Sequence, residues 1–268
     1  MTDRRPAIYQ DLHSGHLNAE DASKRQFSAE RILDILWDYV QPSSVLDVGC
    51  GLGTWLATLQ SRGVKDVSGI DGPWLNTDNL KCDRSLVQVC DLEVGFDLGR
   101  RFDLVICLEV AEHLAPNAAE HFVENLIKHS LAILFSAAIP FQGGYHHVNE
   151  QFLPYWIERF ARHRFQPLDI IRGRIWDDSR ILWWLRQNIV LFAHEELIAC
   201  SERLSAASAV YSRPISIVHP ELYLLRLHAL QNQIHQFQQL SDLLRTGGVF
   251  RTSVSSNGLV NVTKIAEK

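Results

Sequence analysis

The chain has 268 residues, of which 46% are hydrophobic and 21% charged, and its formal net charge at pH 7 is -5. This composition excludes a disordered or fibrous protein, and the length suits one α/β domain with an extension. The acidic balance without a basic run argues against nucleic-acid binding, and the longest apolar run, near 131–141, is too short to span a bilayer.

The predicted elements begin with a helix over 28–40, SAERILDILWDYV, behind Ser28 as its N-cap. Strands and helices then alternate. We predict strands near 44–48, 66–70, 86–90, 102–108 and 131–137, and helices near 53–62 and 116–129. A further helix near 152–163, a strand near 167–171 and a final strand near 188–193 complete the series. The pattern predicts an α/β fold: a Rossmann-like, seven-stranded, doubly wound sheet with an antiparallel last strand.

The chain changes character after Ala193, so we predict a catalytic domain over 1–193 and a helical C-terminal extension over 194–268. The segment 1–27, with Tyr9 and His16, either covers a ligand-binding site of this domain as a lid or lies at the surface. Apolar residues follow Pro220 near heptad spacing: Leu227, Leu230, Ile234, Phe237 and Leu244. Such a helix either packs on its own domain or forms the seam of a homodimer.

Five cysteines occur, at 50, 82, 90, 107 and 200, an odd number without paired spacing. We therefore predict reduced structural thiols rather than disulfides or a zinc site. The start of the chain lacks the apolar region of a secretory signal, so we expect a cytoplasmic protein with no membrane partner.

A glycine turn follows the first predicted strand, in VLDVGCGLGTW. The strand ends near Asp47, and Gly49, Gly51 and Gly53 allow the chain to turn sharply into a helix while its backbone passes close to a ligand. A nicotinamide-binding turn needs a third glycine where this chain has Thr54, which weakens the dinucleotide interpretation.

Two further carboxylates follow the next two strands. Asp71 ends the second strand, where an acidic side chain can accept hydrogen bonds from both ribose hydroxyls. Asp91 ends the third strand beside Leu92, where a carboxylate can accept a hydrogen bond from an adenine amine. The three strand ends are therefore expected to converge on one nucleoside.

Over roughly 28–193 these features together resemble the class I S-adenosylmethionine-dependent methyltransferases. The resemblance implies that Asp47 and the glycines hold the methionine part of the cofactor, Asp71 the ribose, and Asp91 with Leu92 the adenine. Cys50, Gly72 and Glu109 complete the expected cofactor-binding set.

The fourth strand runs into Glu109, Glu112 and His113, in FDLVICLEVAEHL. If the chain turns helical there, these three side chains share one face, because they stand at i, i+3 and i+4. The alternative is that Glu112 and His113 only cap a helix. A polar loop, PFQGGYHHVNEQ, follows the fifth strand and carries His146 and His147.

An ExxEH segment with a downstream histidine resembles the small-RNA 2'-O-methyltransferases and the O-methyltransferases of ubiquinone biosynthesis. That resemblance implies a divalent ion, Mg, Mn or Fe, bound by Glu109, Glu112, His113 and either His146 or His147. Without a metal, His146 or His147 would be the general base, and His113 is a further candidate catalytic residue.

These features predict a methyltransferase acting on a hydroxyl of a sugar or another small polyhydroxylated or secondary metabolite. The alternatives are a noncatalytic cofactor-binding partner subunit and an RNA 2'-O-methyltransferase. Three tryptophans, Trp176, Trp183 and Trp184, either line the acceptor pocket or pack in the core.

Overall fold

The computed structural model describes residues 19–211, 216–245, 249–254 and 260–266. The chain divides into two compact units, residues 1–219 and residues 220–268. Tyr9, His16 and most of the predicted lid segment lie outside the described residues.

The first unit is built on a seven-stranded sheet. Its strands are β1 (Ser44–Val48), β2 (Asp66–Asp71), β3 (Val87–Val89), β4 (Leu104–Leu108), β5 (Ala132–Ser136), β6 (Phe165–Leu168) and β7 (Val190–His194). They lie in the order β3-β2-β1-β4-β5-β7-β6. The first five strands run parallel, and β7 pairs antiparallel with both β5 and β6. This confirms the predicted doubly wound sheet with a reversed last strand.

Helices connect the strands. They are α1 (Ala19–Leu36), α2 (Thr54–Ser61), α3 (Ala119–His129), α4 (Leu153–Ala161), α5 (Arg172–Ile175), α6 (Trp183–Asn188), α7 (Glu195–Ala199) and α8 (Glu202–Tyr211). Short 3-10 turns occupy Thr77–Asn79 and Arg84–Leu86 between β2 and β3, where we predicted no helix or strand. No helix of the described residues is both long enough and apolar enough to cross a bilayer.

The predicted N-cap at Ser28 is wrong, because α1 begins well before it. The Ser28 hydroxyl donates to the Lys24 carbonyl at 2.6 Å and accepts from the Leu182 amide at 3.1 Å. A serine inside a helix can satisfy its hydroxyl on the carbonyl four residues back, so a serine before an apolar run need not mark the start of a helix.

The sheet is buried on both faces. Side chains alternate along each strand, so β4 sends Leu104 and Ile106 into one core cluster and Val105 and Cys107 into the other. A sheet covered on both faces presents its open edge for ligands at the carboxyl ends of its strands. The order in which successive strands are added reverses between β1 and β4, because β2 and β3 lie on one side of this pair and β5 lies on the other. The candidate site lies at this switch point.

The second unit contains α9 (Pro220–Arg245) and an antiparallel hairpin of β8 (Val249–Val254) and β9 (Val260–Ala266). The predicted helical C-terminal extension therefore holds for α9, whereas Val249–Val254 and Val260–Ala266 form strands. The sequences VFRTSV and VNVTKIA are rich in β-branched residues, which favour strands, and the Asn257-Gly258 pair between them is a hairpin turn signal.

Candidate active site at the carboxyl edge of the sheet

The glycine turn after β1 needs its glycines for two separate reasons. Gly49, Gly51 and Gly53 have φ of 74°, 51° and 75°, in the left-handed region that disfavours side chains. A Cβ atom at Gly49 would also lie 2.3 Å from Val110, and one at Gly53 would lie 2.5 Å from the Cys82 sulfur. The turn can therefore pass close to a ligand only because these residues lack side chains.

Asp71, the last residue of β2, closes this turn. Its Oδ2 accepts a hydrogen bond from the Gly51 amide at 2.7 Å, and its Oδ1 accepts one from the Gly72 amide at 2.6 Å. A Cβ atom at Gly72 would lie 2.1 Å from the Trp74 ring, so that ring packs directly on the glycine. The structure thus brings Asp71, Gly51 and Gly72 together, as the sequence predicted.

Asp47 lies beneath the turn and is 2% exposed. Its Oδ2 has no hydrogen-bond partner among the described residues. Burial, and secondarily the nearby charge of Asp71, raise the pKa of the Asp47 carboxyl to about 8. A buried carboxylate of this kind gains from a cationic ligand, because the ligand offsets the cost of its desolvation.

The third strand end reaches the same edge, since the Cys90 amide donates to the Asp71 carbonyl at 2.9 Å. The half-buried Asp91 uses Oδ1 to accept from the Glu93 amide at 3.0 Å. Leu92 is 3% exposed and belongs to a core cluster. Burial, and then the charge of Asp47, raise the pKa of the Cys50 thiol, so Cys50 stays protonated within the turn.

Glu109 begins the second part of the site. It follows β4 with φ of 55°, and its amide donates to the Ser136 carbonyl at 3.0 Å. Its carboxylate accepts from the side-chain amides of Gln142 at 2.9 Å and Asn188 at 3.1 Å. Burial raises the pKa of Glu109, and these hydrogen bonds oppose the shift.

The predicted helical face of Glu109, Glu112 and His113 is wrong. The chain forms only a 3-10 turn, Ala111–His113, which begins after Glu109. Glu109 itself has left-handed backbone, so the spacing of an α-helix does not apply to it.

Three side chains come together beside this turn: Glu112, His113 and His147. One ligand atom from each lies within 4.8 Å of those from the other two. The rings of His113 and His147 meet edge to face with centroids 4.9 Å apart. Among the described residues, Glu109 is not part of this trio, and the amides of Gln142 and Asn188 hold its carboxylate instead.

The trio is chemically unusual because Glu112 is fully buried, and neither of its carboxylate oxygens makes a normal hydrogen bond with a described residue. Burial, and then the charge of Glu109, raise the pKa of Glu112 well above its usual range. Burial, and then His147, lower the pKa of His113 to about 4, so His113 is neutral at pH 7. The trio therefore places the neutral imidazole of His113 next to the buried carboxyl group of Glu112.

Glu150 fixes the loop that carries His147. Its carboxylate accepts from the amides of Phe141 and Gly143, each at 2.7 Å, and lies 2.9 Å from Nδ1 of His147. A Cβ atom at Gly144 would lie 2.3 Å from the His147 ring. His147 is thus held in one orientation.

The structure also distinguishes the two adjacent histidines. His147 is half-buried and belongs to the trio, whereas His146 is exposed, with φ of 60°. The amides of Val148 and Asn149 donate to the Glu112 carbonyl at 2.9 and 3.0 Å, which ties the loop to the 3-10 turn.

Four functional candidates were missed from the sequence: Glu150, Gln142, Gln187 and Asn188. The three carboxamides are buried and bonded to one another, with Gln187 Nε2 donating to Asn188 at 2.9 Å and Asn188 Nδ2 donating to Gln142 at 2.9 Å. The sequence did contain a signal for two of them, because Gln187 and Asn188 precede an apolar strand. Carboxamides buried at such a position need hydrogen-bond partners.

The three tryptophans are half-buried. Trp184 packs against a core cluster and meets Trp183 edge to face at 5.5 Å, and the Trp176 ring lies 4.6 Å from the His219 ring. These contacts match the core-packing alternative for Trp184.

A family model described as "Methyltransferase domain" matches residues 21–172, more than half of the chain. This stretch contains the glycine turn, Asp71, Asp91 and the whole Glu112, His113 and His147 trio.

Curated relatives match over a shorter stretch. A ubiquinone biosynthesis O-methyltransferase of Neisseria meningitidis serogroup C is 34% identical over 101 residues, 34% of this chain and 42% of the relative. One of Rickettsia typhi is 33% identical over 93 residues, 32% of this chain and 35% of the relative. The matched stretch thus spans less than half the length of these relatives.

Solved structures of similar fold include the sugar N-methyltransferase KedS8 from Streptoalloteichus. It is 16% identical, with a TM-score of 0.49, and the match covers 69% of this chain and 92% of that one. The methyltransferase domain of bacterial CtHen1-C has a TM-score of 0.48 at 16% identity, covering 64% of this chain and 98% of that one.

Proposed function

The chain belongs to the methyltransferase-domain family, as a class I S-adenosylmethionine-dependent member, and from this we propose that it transfers the cofactor's methyl group to a hydroxyl of a small acceptor. The observation that carries the proposal is the adjacency of two groups at one sheet edge. Asp47 and Asp71 lie at the ends of β1 and β2, and the glycine turn follows β1. Glu112 and His113 follow β4, the strand beside β1, and His147 follows β5.

The cofactor fits the first group by charge and by shape. The buried Asp47 carboxyl has an oxygen without a partner among the described residues, and the amino group of the methionine part would supply one. The left-handed glycines let the backbone turn sharply above Asp47, and a side chain at Gly49 or Gly53 would clash with Val110 or Cys82. Asp71 accepts hydrogen bonds, as the ribose hydroxyls require, and would exchange its bond to the glycine turn for them.

The chemistry demands that the acceptor lose a proton. Its oxygen attacks the methyl carbon in line, the carbon–sulfur bond breaks, and the sulfonium becomes the neutral thioether of S-adenosylhomocysteine. The hydroxyl proton is too tightly held at neutral pH to leave without help, so a group beside the acceptor oxygen must favour its departure.

We propose that the trio holds a divalent ion. One carboxylate and two imidazoles are oxygen and nitrogen ligands suited to Mg, Mn or Fe, and a cation would offset the cost of burying the Glu112 carboxylate. Such an ion would polarise a bound hydroxyl and lower its pKa. Glu150 orients His147 toward the trio, as the carboxylate partners of metal-binding histidines commonly do.

A second role for His147 is favoured by the same contact. If Nδ1 carries the proton and donates to Glu150, Nε2 keeps its lone pair and can accept the proton of the acceptor directly. The resulting imidazolium would be stabilised by the Glu150 carboxylate.

For the acceptor we propose a sugar or another small polyhydroxylated metabolite. Vicinal hydroxyls can bind one ion together, and the curated relatives are named O-methyltransferases. The net charge of -5 argues against an RNA acceptor, because phosphates would be repelled.

The test is to incubate the protein with S-adenosylmethionine and panels of catechols, sugars, nucleotide sugars and a short single-stranded RNA, with Mn²⁺ or with EDTA. We expect S-adenosylhomocysteine and a singly methylated product only with a diol and only with the ion. Turnover that survives EDTA supports the role of His147 as a base. No turnover with any acceptor until a second protein is added would support a noncatalytic partner subunit instead.

A further inference from the structure

Helix α9 carries an apolar seam that the proposed catalysis does not use. The seam consists of Tyr223, Leu227, Leu230, Ile234, Phe237, Ser241 and Leu244, spaced alternately by four and three residues. The helix has 26 residues and is about 39 Å long. This spacing averages 3.5 residues, the repeat of a coiled coil, and is narrower than the stripe of a helix that packs on a globular core.

Four side chains of the seam are exposed, whereas Leu227 and Ser241 are half-buried. The exposed fractions are 60% for Tyr223, 53% for Leu230, 49% for Ile234 and 72% for Phe237. Large apolar residues exposed in a row mark a site of association.

We propose that α9 pairs with α9 of a second copy of this chain as an antiparallel coiled coil. In that arrangement Leu230 packs on the partner's Ile234, and by symmetry Ile234 packs on the partner's Leu230. On either side of this centre, Phe237 meets the partner's Leu227.

The outer layers match in size as well. Tyr223, the second aromatic residue of the seam, meets the partner's Ser241, so a large side chain faces a small one. A parallel pair would place Phe237 on the partner's Phe237 and Ser241 on the partner's Ser241, which crowds one layer and leaves a gap in another. The seam is therefore self-complementary in the antiparallel direction.

Charge permits this pairing. Residues 227–241 contain no Asp, Glu, Lys or Arg, so two identical helices do not repel each other there. Gln231 and Gln233 flank the seam, and each would face its own copy across the twofold axis, where carboxamides can bond to each other.

The exposed area is sufficient for a specific interface. Each aromatic side chain presents on the order of 150 Å² or more, and the apolar residues of two seams together remove on the order of 1,000 Å² from water, the lower range of specific interfaces. The pair would be of moderate strength, and its population would depend on protein concentration.

The direction of pairing is tested with single cysteines in a Cys200→Ser background, since Cys200 is the exposed native thiol among the described residues. Leu230→Cys and Ile234→Cys proteins of different mass are prepared separately, mixed and oxidised. We expect a disulfide between the two variants after mixing and little in either alone. Efficient cross-linking of each variant with itself would overturn the antiparallel arrangement.

The seam itself is tested by light scattering during gel filtration. Ile234→Glu places a charge in the seam and Asn232→Glu places the same charge on the opposite side of the helix. We expect twice the mass of one chain for the wild type and Asn232→Glu, and one chain for Ile234→Glu, with unchanged S-adenosylhomocysteine binding as proof of folding. A monomeric wild type at high micromolar concentration, or equal masses for both glutamate variants, would overturn the proposal.

Discussion

The two halves of the candidate site are built differently. The cofactor half is made of neighbouring strand ends, and its main hydrogen bonds run from the Gly51 and Gly72 backbone amides to Asp71. Its turn also depends on glycines, because a Cβ atom at Gly49 or Gly53 would clash with a neighbouring side chain. The acceptor half joins side chains from three distant segments, 109–113, 142–150 and 187–188. Substituting a side chain of the acceptor half should therefore lower activity without changing the affinity of the cofactor half for its ligand.

Both halves contain a buried carboxyl group with a raised pKa. Asp47 lies beneath the glycine turn and Glu112 lies in the trio. A nearby cation would stabilise the charged form of each carboxyl group, and we expect this cation to be the cofactor in the first case and a divalent ion in the second.

The largest effect is expected from the trio. Glu112→Gln or His147→Ala should lower turnover roughly 100- to 10,000-fold, the range associated with loss of acid–base assistance, with affinity for S-adenosylhomocysteine unchanged. His146→Ala is the matched control, because His146 is exposed and should retain most activity. Rates and titration calorimetry on the same preparations check both statements. An equal loss in the His146 variant would contradict the assignment of His147.

A substitution in the cofactor half should lower cofactor affinity and leave metal binding at the trio unchanged. Asp71→Ala removes charged hydrogen-bond acceptors worth about 1.5–3 kcal/mol each, so cofactor affinity should fall about 100-fold or more. Affinity for Mn²⁺ at the trio should be retained, as measured by electron paramagnetic resonance. Simultaneous loss of Mn²⁺ binding would show that the two halves are not independent.

A smaller effect is expected from Glu150. Glu150→Gln keeps the shape but weakens the bonds to His147 and to the loop amides, so affinity for Mn²⁺ should fall about 10- to 100-fold, as for other residues that orient metal ligands. Glu158→Gln, on the exposed side of α4, is the control. Unchanged Mn²⁺ affinity in the Glu150 variant would argue against its positioning role.

The smallest effect concerns pH. Asp47, with a pKa of about 8, is largely protonated at pH 7, and a cationic cofactor would lower that pKa. Binding should therefore release a proton, and affinity should rise with pH below 8, by at most about tenfold per unit. Calorimetry in buffers of different ionisation enthalpy measures the proton directly. In Asp47→Asn the release should vanish, and its persistence would assign it to another group.

The same contrast explains what the sequence revealed. The strands and the glycine turn were predictable because they depend on local apolar runs and on residues without Cβ. The path of the chain at Glu109 was not, since its left-handed backbone is set by contacts with Ser136, Gln142 and Asn188 that are distant in sequence. The choice between His146 and His147 could not be made from the sequence either, because it depends on the contact between Glu150 and His147, which forms only in the folded loop.

Two predictions of local structure were wrong, one at Ser28 and one at the end of the chain. Ser28 resembles an N-cap, yet its hydroxyl is satisfied within α1 and by the Leu182 amide from a remote segment. The segment after α9 was assigned to the helical extension, although its β-branched residues favour strands and Asn257-Gly258 favours a hairpin turn.

The most direct measurement is a crystal structure with S-adenosylhomocysteine and Mn²⁺ bound. We predict that the ribose lies within hydrogen-bond distance of Asp71, that the amino group of the ligand lies at Asp47, and that an anomalous manganese peak lies between Glu112, His113 and His147. A nucleoside bound elsewhere, or a crevice filled by side chains at these strand ends, would contradict it.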